Sequence, residues 1–231
     1  MRTVGGIHSE RFYTMNGRII QEVPDAQYLG VTISNDLTWR KHIEEVAKGA
    51  NRKLGFLRRN LRGAPKRSKV SAYFTMVRLG MEYADAIWDP FFGVDHDTLE
   101  KVQRRAARWV TSQYSNEVNC NNLLQNLEWA SLKDRRRQLK LCLFHNIHSK
   151  NVNLDFREDF GIDYSRTTRM GSSTDAEGQV TSHKLTFPKA RKPPLRKSTI
   201  VTTIPLWNKL PGEVTAASTS DTFRSALGSL P

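Results

Sequence analysis

Hydrophobic residues in the first part of the chain stand in short alternating runs, and the spacing lengthens near residue 36. In RFYTMNGRIIQ, Asn16-Gly17 separates two apolar runs, which is a strong hairpin signal because both residues tolerate positive φ. In QYLGVTIS, alternate apolar positions would share one face of a strand: Leu29, Val31 and Ile33. Residues 1–35 are therefore predicted to form a small antiparallel sheet, which needs a partner surface to be stable.

Between residues 36 and 148, apolar residues recur every three or four positions, as in helices that bury one face. The first stripe predicts a helix of about six turns, closed by Gly63 and Pro65. Its members are Trp39, Ile43, Val46, Ala50, Leu54, Leu57 and Leu61. A second helix is predicted from Lys66 to Ala86.

A third helix is predicted to start near Asp97, where Glu100 follows three residues later as in a capping box. Its buried side would be Leu99, Val102, Ala106 and Trp109, with Gln103 and the neighbouring arginines mostly outside. Two more helices are expected at Asn121–Asn126 and Leu132–His148, the latter capped by Ser131. Short connections between them favour a bundle.

The remaining chain divides into two segments. Residues 149–203 are polar and without a period, which predicts a loop-rich or disordered linker. Residues 204–231 contain TIPLWNKLP and SDTFRSALGSL, a short apolar segment and a last helix that would dock on the bundle. The expected fold class is mainly α: an N-terminal hairpin sheet at 1–35, a helical bundle at 36–148, and a poorly ordered C-terminal region.

Composition narrows the class of protein. Only 38% of the 231 residues are hydrophobic, so a folded part plus a poorly packed remainder is expected. The chain has no apolar run near 20 residues, and its start lacks a signal-peptide pattern. Cys120 and Cys142 are too few for a disulfide scaffold. These features predict no membrane segment and a reducing intracellular compartment, nucleus or cytoplasm.

The net charge of +13 is unevenly distributed. Residues 40–69 hold eleven Lys or Arg and two Glu, a net of +9. Residues 82–97 hold five acids and neither Lys nor Arg, a net of −5. A basic block combined with helical spacing favours a polyanionic partner, and a solubilising surface is the alternative.

Candidate metal and catalytic groups are sparse. An acidic cluster of Asp85, Asp89, Asp95 and Asp97 could hold Mg²⁺ for phosphodiester chemistry, but helix-end and turn roles are the preferred interpretation. His145 and His148 are three residues apart on a helix without a third ligand nearby, so partly buried or exposed histidines are preferred over a metal site. We therefore predict no metal, no cofactor and no catalytic residue.

Five ordered blocks resemble the C-terminal third of reverse transcriptases from jockey-like non-LTR retrotransposons. They are YLGVTISNDLTWRKHI, ANRKLGFLRRNLRGAP, EYADAIWDP, LEKVQRRAARWVT and IPLWNKLP. The resemblance implies that Tyr28, Leu29 and Gly30 belong to the hairpin that supports the primer end. It also implies that the following helices form the thumb, which grips template-primer duplex through its backbone.

The resemblance also says what to expect of catalysis. The palm, with its catalytic aspartates and Mg²⁺, and an endonuclease would lie upstream of Met1. EYADAIW carries Tyr83-Ala84-Asp85 but has Ala86 where a polymerase motif has a second Asp, and it matches a helical thumb segment instead. The chain is thus expected to be a non-enzymatic fragment of an RNA-directed DNA polymerase.

The predicted partner is an RNA/DNA duplex bound without sequence preference. The residues expected to contact phosphates are Arg52, Arg58, Arg59, Arg62, Lys66, Arg67, Lys69, Arg104, Arg105 and Arg108. An inert or domesticated relic that acts as a helical interaction protein is the alternative, and a nuclease that uses the four aspartates is a third. The oligomeric state is not predicted.

Overall fold

The computed structural model describes residues 13–115, 117–163, 184–187 and 198–229. The fold is mainly helical, with two small antiparallel hairpins at its N-terminal end, as the sequence predicts. The first hairpin pairs β1 (Tyr13–Met15) with β2 (Arg18–Ile20). The second pairs β3 (Asp25–Tyr28) with β4 (Val31–Ser34). The two hairpins form separate two-stranded sheets.

Both hairpins turn on two residues with positive φ. Asn16 and Gly17 have φ of 51° and 75°, and Leu29 and Gly30 have φ of 47° and 79°. Both therefore have the φ signs of type I′ turns, which match the twist of the paired strands. The prediction of one alternating strand through QYLGVTIS was wrong. Gly30 permits the reversal, and Leu29 is consequently 73% exposed at the turn.

Seven helical segments follow and enclose the first core. They are α1 (Arg40–Asn60), α2 (Lys66–Ala72), a π-helical segment (Tyr73–Arg78), α3 (Leu79–Glu82), α4 (Gly93–Thr111), α5 (Cys120–Asn126) and the start of α6 (Leu132–His148). The α1 stripe is buried as predicted at Ile43, Leu54 and Leu57. Strand β4 joins this core through Val31, and the backbone N–H of Thr32 donates to Nδ1 of His42 at 3.2 Å.

Three details of the helix predictions were wrong. The second helical stretch ends at Glu82 rather than Ala86, because Tyr83 is extended and Ala84 has φ of 53°. The third helix starts at Gly93, so Asp97 lies inside it and caps nothing. Gln103 is buried rather than outside, since it accepts from Tyr73 Oη at 3.2 Å and donates to the carbonyl of Ala130 at 3.0 Å.

Helix α6 joins the first core to a second one. Leu132 packs in the first core, and Leu141, Phe144 and Ile147 pack in the second. As predicted, Ser131 caps α6: its side chain accepts from the backbone N–H of Asp134 at 3.0 Å.

The second core is completed by α7 (Thr199–Trp207), α8 (Gly212–Thr215) and α9 (Ser220–Gly228). Ile204, Trp207 and Leu210 are buried there, as predicted for a docked C-terminal segment. The proposed boundary between 203 and 204 falls inside α7. Of the expected linker, Phe156, Ile162 and Leu185 are buried in this core, whereas 164–183 and 188–197 lie outside the described residues.

Candidate nucleic-acid interface

Helices α1 and α4 lie side by side and run in the same direction. Three contacts pair their residues in the same order along the chain: Arg40 Nε with Asp95 Oδ1 at 3.9 Å, Arg105 Nη1 with Asn51 Oδ1 at 2.9 Å, and the Arg58 guanidinium with the Tyr114 ring at 5.7 Å. The C-terminal ends of both helices therefore lie at one end of the bundle.

The start of α2 lies at this same end. The chain passes from α1 through a short turn to Lys66, and Lys69 Nζ is 6.0 Å from the ring of Trp109 in the last turn of α4. That contact buries Lys69, which is only 7% exposed. The start of α2 thus packs Lys69 against α4, and among the ten predicted phosphate contacts only Lys69 is buried.

The other nine predicted residues are accessible. Arg105 is exposed, and so are the predicted residues on α1, on the turn after α1 and on α2. Arg104 and Arg108 are half-buried. We call this set the basic surface: Arg52, Arg58, Arg59, Arg62, Lys66, Arg67, Arg104, Arg105 and Arg108. Helical spacing places Arg52 and Arg59 on the outward side of α1, and Arg104 and Arg108 on the outward side of α4.

Among the described residues, no acid forms an ion pair with any charge of the basic surface. The ion pairs among the described residues use other bases: Arg40, Lys41, Arg78, Arg135, Lys140 and Arg157. Moreover, the segments 46–69 and 101–116 contain neither Asp nor Glu. Six bases elsewhere in the described chain are thus paired with acids, whereas none of the nine on this surface is.

Helix dipoles explain only part of the basic surface. Arg58, Arg59 and Arg108 lie in the last turns of α1 and α4, where cations interact favourably with helix ends, by about 0.3–1 kcal/mol each. Lys66 and Arg67 instead lie in the first turn of α2, where the dipole disfavours cations. An external anion on this surface would offset both that repulsion and the mutual repulsion of the arginines.

The hairpin turn of β3 and β4 forms a second exposed area. Tyr28 and Leu29 are 68% and 73% exposed. The turn rests on the segment after α3, because Tyr83 Oη donates to the carbonyl of Leu29 at 3.0 Å. Leucine rarely adopts the left-handed backbone conformation that Leu29 has here. Strained residues of this kind cluster at functional sites, which makes this turn a second candidate for a function.

The four aspartates considered for metal-assisted catalysis do not form one site. Asp89 pairs with Lys140 at 2.6 Å, Asp95 lies beside Arg40, and Asp97 is exposed on α4. Asp85 is only 4% exposed and lies in the turn after α3, not on a helix as the spacing suggested. In the described part of the chain, no three His, Cys, Asp or Glu residues lie close enough to hold a metal ion.

Asp85 instead faces α6. Its Oδ2 atom is buried without a hydrogen-bond partner, and burial raises its pKa to about 7 although Arg136 acts in the opposite direction. Arg136 is 1% exposed, donates to the carbonyl of Met81 and lies 5.2 Å from the Trp88 ring. Glu82 pairs with Arg135 alongside. EYADAIW is therefore the contact between the helix before it and α6.

The histidines considered as a metal pair have structural contacts. His145 is fully buried, its Nε2 lies 2.7 Å from the carbonyl oxygen of Ala217, and its ring stacks on Phe223 with centroids 4.3 Å apart. His148 lies against Trp207, with ring centroids 5.4 Å apart. These two residues thus hold α6 against the C-terminal helices.

Tyr114 is a further aromatic residue at the end of the bundle where α1 and α4 end. It follows α4 after Ser112, whose φ of 55° ends the helix, and it is 54% exposed. Its position beside Arg58 depends on how α1 packs on α4. The local sequence TSQYS carries no signal for that contact.

No protein-family model matches the chain, and neither the curated proteins nor the solved structures include a significant match. The described helices include none long and apolar enough to cross a membrane. The function is consequently inferred from the geometry and from the resemblance of the five sequence blocks.

Proposed function

We propose that this chain binds template-primer nucleic acid as the thumb region of a jockey-like non-LTR retrotransposon reverse transcriptase. In this proposal it has no polymerase activity of its own, because the resemblance assigns the catalytic aspartates and the Mg²⁺ to a palm upstream of this region. The duplex would be held through its phosphates without a sequence preference.

The uncompensated charge of the basic surface is the observation that carries the proposal. Nine accessible cations lie on α1, the turn after it, α2 and α4, and none of them forms an ion pair with a described acid, although six other bases in the described chain do form ion pairs. A polyanion supplies the missing counter-charge and releases its own counterions on binding. Free thiols at Cys120 and Cys142 fit a reducing compartment, and we propose the nucleus or cytoplasm.

The salt dependence of duplex binding tests this proposal. If about six phosphates are neutralised, log affinity should fall against log salt with a slope near −5, and blunt duplexes of unrelated sequence should bind equally. Fluorescence anisotropy with labelled RNA/DNA and DNA duplexes measures both quantities. A slope near zero would remove the proposal.

Single substitutions locate the surface. Arg59→Ala or Arg62→Ala should each reduce the salt slope by about 1 and weaken all duplexes alike. Arg157→Ala is the matched control, because Arg157 is exposed but lies beside Asp163 at 3.9 Å outside the basic surface. If the control changes the slope as much as Arg59→Ala, only the net charge matters and no surface has been identified.

A protein-interaction role is the second candidate, and β1 and β2 favour it. All six residues of these strands are exposed, including Tyr13, Met15, Ile19 and Ile20. An isolated hairpin is marginally stable, so a partner surface such as the palm of a parent polymerase would complete it. If the chain is instead an inert or domesticated relic, it should bind heparin and duplex equally and weakly.

A further inference from the structure

Tyr114 combines an exposed ring with a cation and lies at one end of the basic surface. Its ring is 54% exposed, and the Arg58 guanidinium lies 5.7 Å from the ring centroid. Arg58 is in the last turn of α1 and Arg108 in the last turn of α4, so the pair stands where both helices end. A base can stack on such a ring while cations hold the adjoining phosphates.

Another cation–π pair in the molecule has a different setting. The Arg40 guanidinium lies 5.9 Å from the centroid of Phe92, a nearly equal distance. Arg40, however, is beside Asp95, whereas no acid in the described part of the chain forms an ion pair with Arg58. The two pairs thus have similar distances but differ in whether an acid lies beside the arginine. The Arg40–Phe92 pair therefore serves as a control for the Arg58–Tyr114 pair.

We propose that Tyr114 stacks on an unpaired base next to the duplex, so that the basic surface prefers a duplex with a single-stranded extension over a blunt one. This proposal rests on the proposed function. It specifies the kind of nucleic acid: a junction between paired and unpaired segments. Because every base has an aromatic face, the preference should not depend on sequence.

The distance between two residues of α1 can be compared with the spacing of phosphates in a duplex strand. Asn51, which contacts Arg105, and Arg58, which contacts Tyr114, are seven residues apart on α1, or about 10 Å at 1.5 Å per residue. One duplex strand carries a phosphate about every 3.4 Å along its axis, so this distance spans about three phosphates. A strand following these cations would reach Tyr114 where the two helices end.

Two probes and three variants test the inference. The probes are a blunt duplex and the same duplex with a short oligo-dT extension, and the assay is anisotropy at one fixed salt concentration. Wild-type protein should bind the extended duplex more tightly, by roughly 5- to 150-fold as expected for one stacked base. Tyr114→Ala should lose this preference and keep its affinity for blunt duplex. Tyr114→Phe should retain it, and Phe92→Ala should behave as wild type.

The outcomes separate the two proposals. Failure of wild-type protein to bind either probe would overturn the proposed function and, with it, the inference that rests on it. Equal binding of both probes by wild-type protein would overturn the stacking inference and leave the proposed function intact. A uniform loss with both probes in Tyr114→Ala, or loss of the preference in Phe92→Ala, would also overturn it. Circular dichroism of each variant checks that the helices are intact.

Discussion

Replacement of Asp85 by Asn should make the protein more stable at alkaline pH and should remove part of its pH dependence. The carboxyl is 4% exposed, and its Oδ2 has no hydrogen-bond partner. Burial raises its pKa from 3.8 to about 7 in the folded protein. The folded state therefore binds this proton more tightly than the unfolded chain does. The resulting stability is fully present below about pH 3.8 and is lost as pH rises through about 7.

The magnitude follows from the two pKa values. At 1.36 kcal/mol per pKa unit, the difference between 3.8 and about 7 corresponds to at most about 4 kcal/mol. Asn resembles the protonated carboxyl and does not titrate. The difference in unfolding free energy between Asp85→Asn and wild type should thus rise by about 4 kcal/mol from acid to alkaline pH. His42 and His96 have pKa values lowered by burial and act in the opposite direction, but they are common to both proteins.

Urea unfolding followed by tryptophan fluorescence at several pH values measures this difference. Asp97→Asn is the matched control, because Asp97 is an exposed acid on α4 and its replacement should give a nearly flat difference. A lower stability of Asp85→Asn than of wild type at alkaline pH would contradict this prediction. In that case the attraction between Asp85 and the buried Arg136 outweighs desolvation, and breaking it would cost about 3–5 kcal/mol.

Two further predictions concern the C-terminal core and the end of α4. Trp207→Ala should lower the unfolding free energy by about 3–5 kcal/mol in urea titrations, because the side chain is fully buried against Phe144 and Phe223. A loss below about 1 kcal/mol would mean that α7 does not pack on α6 in solution. Ser112→Gly should raise the thermal midpoint, because φ of 55° costs a non-glycine residue about 1–2 kcal/mol. Thr111→Gly, inside the helix, should lower the thermal midpoint. Equal effects of the two substitutions would contradict the left-handed C-cap at Ser112.

Long periodic segments were predictable from the sequence. Helix α1 matches its stripe, α6 has the predicted bounds, and the Ser131 cap lies where the local signal puts it. The Asn16-Gly17 turn was equally readable, because these two residues suit positive φ. Leu29-Gly30 was not readable from local pattern, since leucine gives no turn signal and the alternating residues imitate a continuous strand.

The sequence predicted that the candidate surface is basic, but it did not predict which residues belong to that surface. Charge density pointed to ten cations, and packing removed Lys69 by burying it near Trp109. Packing also brought Tyr114 beside Arg58, although the two residues are far apart in sequence. Likewise, the spacing of Asp85 and Asp89 suggested one helical face, but the helix ends at Glu82, before both residues.

The sequence by itself determined that residues 36–148 are mainly helical and where positive charge is concentrated, because period and charge are properties of neighbouring residues. The tertiary structure decided which cations stay accessible and which aromatic ring joins them. It also decided that Glu82, Asp85 and Trp88 of EYADAIW face the arginines of α6. These outcomes depend on desolvation and on packing between distant helices, and no local spacing encodes either.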